Sequence, residues 1–371
     1  MRIGIDARMA YYTQAGIGQY IRRLVEGLAR IECQEELVLL QSRKGKAVVA
    51  NNHDRFQRRA LWTPSHHRLE QWFLALEVAL ADLDVLHSPD FIPPFRRRCR
   101  SVITIHDLAF LLYPHFLTRD SARYYGQIDQ AVHRTDHIIA VSESTKQDTI
   151  SLLGVAENKI TVIHEAANPL FRPVEDPQLL QQVRDRYGLP EGFILFVSTI
   201  EPRKNLPTLL RALRLLLDRH GPLAKLAVVG KRGWLFEEVF ATVKELNLDD
   251  DVLFLGRVPS QDLLLLYNAA RVHVHPSYYE GFGLPPLEAM TCGTPTIVSN
   301  VASLPEVVGD AGRLVDPDDT EGWAAAMGQI LTDPHLRQEM RKKGFQQARR
   351  FSLERMARET LAVYRRVGTK E

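Results

Sequence analysis

Residues 193–217 read FILFVSTIEPRKNLPTLLRALRLLL. Phe193–Val197 is an unbroken apolar run of strand length, without the polar alternation of a half-solvated strand, so it reads as a strand covered on both faces. From Leu206 onward the period changes. Leu206, Leu209, Leu210, Leu213, Leu216 and Leu217 fall on one side of a helix. A buried strand that passes through a short polar loop into an amphipathic helix is the repeating unit of a parallel sheet with helices on its faces.

The same alternation continues in both directions. Downstream, strands are expected at Leu226–Val229, Val252–Leu255, Val272–His275 and Thr296–Val298; upstream, at Ile3–Asp6, Leu37–Leu40, Val85–His87, Val102–Ile105, Ile138–Val141 and Ile160–Ile163. Between the upstream strands Ile17, Ile21, Leu24, Val25 and Leu28 recur at helical spacing, as do residues near 68–80, 119–134 and 144–153. Ser142 is a suitable N-cap for the last of these and Gly154 a suitable stop. The pattern lapses at His164–Pro173, HEAANPLFRP, whose prolines continue neither element. Two α/β domains follow, residues 1–167 and 168–352, each Rossmann-like and doubly wound and facing a central cleft. Helices are expected at 320–331, 335–350 and 353–366, with the C-terminal segment 353–371 packing back on the first domain.

The 371 residues carry 47 Lys+Arg against 45 Asp+Glu and are 45% hydrophobic, which suits an ordinary globular protein of about two domains. Net charge of +2 is too small to imply nucleic acid. Cys33, Cys99 and Cys292 are odd in number and lack CxxC spacing, so neither a disulfide framework nor a structural zinc site is expected, and a reducing cytoplasm fits. MRIGIDAR reads as a strand rather than a signal peptide, and the apolar stretch Trp72–Leu86 is broken by Glu77, Asp82 and Asp84, too short to span a membrane. The charge is uneven. Arg55, Arg58, Arg59, Arg68, Arg96, Arg97, Arg98 and Arg100 crowd the first third, either as solvated loops or as a patch for anionic lipid or phosphate.

In open parallel sheets ligands bind beyond the carboxyl ends of the strands, so the loops there are the candidates for chemistry. The first loop holds AGIGQY, residues 15–20, whose Gly16 and Gly18 either form a tight turn or admit an anion to a helix N-terminus; Ile21 replaces the third glycine of a dinucleotide fingerprint. In Thr199–Asn205, Arg203 and Lys204 stand at a helix entrance, where the dipole disfavours cations. That placement suits a diphosphate gripped by a forked guanidinium and a point charge. The third segment, HPSYYEGFGLPPLEAM (275–290), places Glu280 in a loop and Glu288 about one turn inside a helix, with the amides of Phe282, Gly283 and Leu284 between them. Ionised carboxylates accept hydrogen bonds from hydroxyls on both oxygens. His273 and His275, two apart in one strand, face one side and read as structural or as pocket wall rather than a metal pair.

EGFGLPPLEAMTCGTP with Glu280 and Glu288, EPRKN, and AGIGQY together resemble the retaining nucleotide-sugar glycosyltransferases of family 4, glycosyl transferases group 1, which have the GT-B fold. The likeness runs from the first strand to about Pro317. It implies that Glu288 binds the ribose hydroxyls and Glu280 the hydroxyls of the transferred sugar. Arg203 and Lys204 would hold the donor diphosphate, with the amides of Gly281, Phe282, Gly283 and Leu284 assisting. Gly256, Arg257 and Val258 would read the base, Gly16 would approach the phosphates with Gly18 beside it, and His106 would face the sugar at the reaction centre. Many members carry Gly-Arg where this chain has Ser198-Thr199, so Arg203 would serve for the missing arginine. STIEPRKN is closer to members that transfer mannose in polysaccharide and lipopolysaccharide assembly.

The implied enzyme is a metal-independent hexosyltransferase without cofactor. It moves a mannose-like sugar from GDP-mannose, or another sugar from a UDP-sugar, to a saccharide or lipid-linked acceptor, in the cytoplasm or at the inner face of the membrane. With no second carboxylate placed as nucleophile, a front-face displacement is expected. A non-catalytic nucleotide-sugar binding subunit and a GT-B epimerase are the alternatives.

Overall fold

A computed structural model of the chain describes residues 1–12, 16–45, 55–67, 69–113 and 125–369. It divides into two compact units, Met1–Ala166 with Ser352–Glu371, and Ala167–Phe351.

The described residues of the first unit form β1 (Arg2–Asp6), β2 (Glu36–Ser42), β3 (Phe56–Leu61), β4 (Val85–Ser88), β5 (Arg100–Ile105), β6 (His137–Ala140) and β7 (Ile160–Val162), in the order β3-β2-β1-β4-β5-β6-β7. All pairings are parallel. Ile3 lies opposite Leu37 on one side and opposite Val85 on the other, so chain order reverses direction between β1 and β4. On one face the helices Ile17–Arg30 and Leu353–Gly368 pack together: Ile21, Leu24, Val25 and Leu28 share a core with Met356, Ala357, Leu361 and Tyr364. Their backbones approach so closely at Gly27 that a Cβ there would sit 2.6 Å from the Leu353 carbonyl oxygen. On another face Leu74 and Val78 of the helix Glu70–Ala79 rest on Val38, Leu40 and Leu86.

The second unit contains β8 (Ile194–Val197), β9 (Leu226–Val229), β10 (Val252–Gly256), β11 (Val272–His275), β12 (Thr296–Ser299) and β13 (Arg313–Val315), in the order β10-β9-β8-β11-β12-β13. Ile194 faces Leu226 on one side and Val272 on the other, which makes β8 and β11 neighbours and places the reversal between them. The leucine stripe of the helix Leu206–His220 is buried against Trp323, Met327 and Ile330 of the helix Thr320–Thr332. Each such leucine contributes roughly 1.5–3 kcal/mol through removal from water.

Ser142 Oγ accepts from the Thr145 amide at 3.0 Å and Gly154 ends that helix at φ 62, as their spacing requires. Two strands depart from the expectation. β3 and β13 were not marked by apolar runs, because both are edge strands; the β3 sequence FQRRAL exposes Gln57 and Arg58. Of the helix expected over 119–134, Ile128–Arg134 is helical and 119–124 lie outside the described residues, as do Ala15 and Arg68.

Candidate active site

Because β8 and β11 are adjacent, the loops that follow them meet at the carboxyl edge of the second sheet, at its topological switch point. Pro202–Lys204 makes a single 3₁₀ turn, which Asn205 closes at φ 53 while its side-chain amide donates to the Pro317 carbonyl at 2.7 Å. The Tyr278 amide donates to the Arg203 carbonyl at 2.9 Å and joins the two loops. Lys204 Nζ then lies 2.6 Å from Glu280 Oε1, and Arg203 NH1 lies 3.3 Å from Glu280 Oε2 and 2.7 Å from the Tyr279 carbonyl. Glu201 turns the other arm of the guanidinium, at 3.0 Å.

Glu280 Oε1 also accepts from Ser277 Oγ at 2.8 Å and from His275 Nε2 at 2.7 Å. Three donors therefore converge on one carboxylate oxygen. The facing Oε2 accepts from Arg203 NH1. Burial alone would raise the Glu280 carboxyl; the charges of Lys204 and Arg203 and the hydrogen bond of His275 overcome it and hold the group well below the usual carboxylate range. Burial and the Arg203 charge draw Lys204 below the ordinary lysine value, against the pull of Glu280 and Glu201. His275 is lowered by burial, so it serves as a neutral donor through Nε2. Its ring stacks on that of His273, centroids 5.8 Å apart, and both are wholly buried.

Beyond Glu280 the loop is held from below. Ser303 Oγ sits 2.8 Å from the Glu280 carbonyl oxygen and 2.6 Å from that of Phe282. Gly281 and Phe282 follow, and Gly283, at φ 112, begins the helix Leu284–Cys292; a Cβ on Gly283 would come within 2.9 Å of Leu304. Glu288 is buried inside this helix with Tyr267 OH donating to its Oε2 at 3.3 Å. Gly256, at φ 65, ends β10, and with Arg257 and Val258 it stands two strands away from β8 at the same sheet edge. At Ser198-Thr199 the chain passes so close to Gly230 that a Cβ there would lie 1.8 Å from the Ser198 carbonyl oxygen.

In the first unit the switch point lies between β1 and β4, and β5, the strand next to β4, delivers His106 at the same sheet edge. Gly16 caps the helix Ile17–Arg30 with φ 52 and, among the described residues, has no atom within 4 Å of where a Cβ would stand, while Gly18 is buried in its first turn. The His106 ring packs edge-on against Tyr20, centroids 4.7 Å apart. Its Nδ1 is 3.1 Å from Glu165 Oε1 and its Nε2 2.9 Å from the Pro89 carbonyl oxygen. Both partners accept, so both ring nitrogens carry protons. Burial opposes that charge, but the bond and charge of Glu165 and the Pro89 carbonyl outweigh it and raise His106 above its usual value. Just after β1 a buried Arg8 joins Asp6 and Glu70, both at 2.6 Å, and donates to the Thr63 carbonyl at 3.0 Å. His66 pairs with Asp90 at 2.8 Å. Sequence spacing did not mark Glu165, Ser277 or Ser303, whose partners lie 59, 3 and 21–23 residues away, nor the charged residues Asp6, Arg8, Glu70 and Asp90. A strand-end Asp followed by Arg, at Asp6-Ala7-Arg8, is the one signal that could have drawn notice to the last group.

Two Rossmann-like units, each with charged side chains gathered at the carboxyl edge of its sheet, define a GT-B glycosyltransferase fold. Solved structures with that architecture superpose over nearly the whole chain. Sucrose-phosphate synthase from Thermosynechococcus elongatus matches with a TM-score of 0.78 at 23% identity, covering 99% of this chain and 98% of that one. WaaG, a glycosyltransferase involved in lipopolysaccharide biosynthesis, matches at 0.74 and 17% identity, covering 98% and 99%. In sequence, the family model for glycosyl transferases group 1 matches residues 182–347 and that for glycosyltransferase family 4 residues 15–169. The O-antigen chain mannosyltransferase B of Escherichia coli is 34% identical over 98% of this chain and 100% of its own length. The chain belongs to the family 4, group 1 glycosyltransferases.

Proposed function

We propose that the protein transfers a hexose, with mannose favoured, from a nucleoside diphosphate sugar to a saccharide or lipid-linked saccharide in polysaccharide assembly, with retention at the anomeric carbon and without a metal. The observation that carries this reading is the buried meeting of Lys204, Arg203 and Glu280 at the switch point of the second sheet. Mannose is supported by the names of two relatives, the Escherichia coli enzyme above and the O-antigen chain mannosyltransferase RfbU of Salmonella typhimurium, 30% identical over 62% of this chain and 60% of its own. GDP-mannose is the corresponding donor; a solved neighbour, Anabaena HepE, holds UDP-glucose, which keeps UDP-sugars in the test.

In this reading the bond between the anomeric carbon and the β-phosphate oxygen breaks, and the nucleoside diphosphate leaves with the electron pair. Lys204 and Arg203 stabilise that departing charge, aided by the amides of Gly281, Phe282, Gly283 and Leu284 at the helix entrance. They supply the charge that a divalent ion would otherwise bring. Glu280, fixed by His275 and Ser277, presents Oε2 to the sugar hydroxyls. Glu288 accepts from the ribose hydroxyls, and Gly256, Arg257 and Val258 border the base. On the first unit's side, Gly16 and Gly18 admit the phosphates and His106 faces the sugar as a cation. An acceptor oxygen attacks from the face the phosphate leaves, and its proton passes to the departing phosphate oxygen. The basic N-terminal residues are assigned to acceptor or membrane contact.

Incubation of the full chain with GDP-mannose and saccharide acceptors, with proton NMR of the product, tests the proposal. Release of GDP with an α-linked product is expected. Inversion to the β-anomer would overturn the retaining assignment; binding without release would favour a non-catalytic subunit, and turnover without acceptor an epimerase.

A further inference from the structure

The helix Glu70–Ala79 buries only one of its sides. Leu74 and Val78 face the core, while Leu69, Trp72, Phe73, Leu76 and Leu80 are 47, 59, 53, 65 and 74% exposed. Their spacing, i, i+3, i+4, i+7 and i+11, makes them a single stripe along the outer side of the helix. An apolar stripe of five large side chains turned to solvent exceeds the scatter of single exposed leucines on a soluble surface and marks an interaction face. Trp62, 70% exposed at the end of β3, adds a second indole.

A cation lies over each of the two indoles. The Arg43 guanidinium lies 3.6 Å from the centroid of the Trp62 ring, and that of Arg96 lies 4.6 Å from Trp72. Lys44 and Arg98 are exposed on the same two loops. Of the acids on or next to the helix, Glu70 is spent on Arg8. Glu77 accepts from the amides of Trp62 and Thr63 at 2.6 and 3.2 Å, and Asp82 lies past the helix end. Leucine and phenylalanine in the middle, indoles beside them and arginines stacked on the indoles is the distribution that suits the boundary between acyl chains and headgroups. A ten-residue helix is about 15 Å long, half the hydrocarbon thickness, so it lies along a bilayer and does not cross it. A two-fold pairing through this face would instead gather the arginines of both copies into one interface.

We propose that the outer side of the helix Glu70–Ala79, with Trp62, Arg43 and Arg96, is a docking surface for an anionic lipid bilayer. It specifies the membrane contact in the function proposed above, but vesicle binding is read without donor or acceptor, so its failure leaves the transfer reading untouched. The test is co-sedimentation of the full chain with vesicles of phosphatidylcholine alone and of phosphatidylcholine with phosphatidylglycerol, at low and high salt. Binding to the anionic vesicles that weakens as salt rises is expected. Leu76→Glu with Leu80→Glu, both at solvent-facing positions, should lower the affinity at least about tenfold without moving the melting temperature. Arg43→Gln with Arg96→Gln should lower it by several-fold and flatten the salt dependence. Absence of binding at low salt, or binding by both variants as by the parent, would overturn the proposal. A dimer that Leu76→Glu dissociates, without vesicle binding by the parent, would assign the face to a second copy and overturn it as well.

Discussion

Lys204 Nζ stands 2.6 Å from Glu280 Oε1, and both side chains are about nine-tenths withdrawn from water. A buried pair of this kind gains little net stability, yet removing one partner strands the other charge. Lys204→Ala is therefore expected to do two separable things. It should lower kcat/KM for transfer at least about tenfold by removing a cation from the leaving diphosphate. It should also lower unfolding stability by about 3 kcal/mol or less, since His275, Ser277 and Arg203 still face the carboxylate. Steady-state transfer and denaturant unfolding on the same preparation check both.

His275 places one of three donors on Glu280 Oε1. His275→Phe keeps an apolar ring but loses the donor, and transfer should fall about tenfold, mainly in kcat, while the KM for donor changes less. His275→Gln restores an N–H near the position of Nε2 and should recover most of the loss. A ring needed only for packing would give the opposite ranking of the two variants.

Glu288 is held by Tyr267 inside the helix Leu284–Cys292. Glu288→Gln is expected to raise the KM for donor several-fold with a smaller change in kcat, because a ribose contact is made equally in the ground and transition states. Tyr267→Phe, which removes the 3.3 Å hydrogen bond to Glu288, should stay close to the parent. Initial rates against donor concentration separate the two.

Stability should also depend on pH through the core of the first unit. His87 is buried between Tyr364 OH at 2.5 Å and Thr104 Oγ1 at 2.8 Å, and burial pushes its pKa down to about 3. Unfolded, it titrates near 6.5, so as pH falls below 6.5 only the unfolded state takes the proton and stability declines. The His87 share reaches about 2 kcal/mol by pH 5. His106 runs the other way: its folded pKa is raised, so its stabilisation is complete below about 6.5 and is lost as pH climbs through the folded value. Unfolding midpoints from pH 5 to 9 should show both limbs, with the acid limb shallower in His87→Gln and the alkaline limb shallower in His106→Gln.

The order of the elements was legible because strands buried on both faces must be apolar throughout, as Phe193–Val197 is, and because Leu206–Leu217 repeats at the helical period. β3 escaped notice for the converse reason: at a sheet edge it exposes Gln57 and Arg58 and has no run to display. Lys204, Arg203, Glu280 and Glu288 were visible as charges at helix entrances and strand ends, where fold topology collects ligands. What spacing could not convey was the saturation of Glu280. His275 points at it only because the loop turns back within five residues, and Ser303 reaches the loop from the segment after β12. The pairing of His106 with Glu165 spans 59 residues and depends on β5 and the segment after β7 ending at the same edge.

Lys204, Arg203 and Glu288 are proposed to form the donor site, and calorimetric titration of GDP-mannose, UDP-glucose and ADP-glucose into the full chain is the sharpest test of that assignment. One of these sugars, GDP-mannose foremost, should bind the parent, and its affinity should fall at least about tenfold in folded Lys204→Ala and Glu288→Ala. Equal affinity in the parent and in both variants would contradict the assignment of this buried cluster as the donor site.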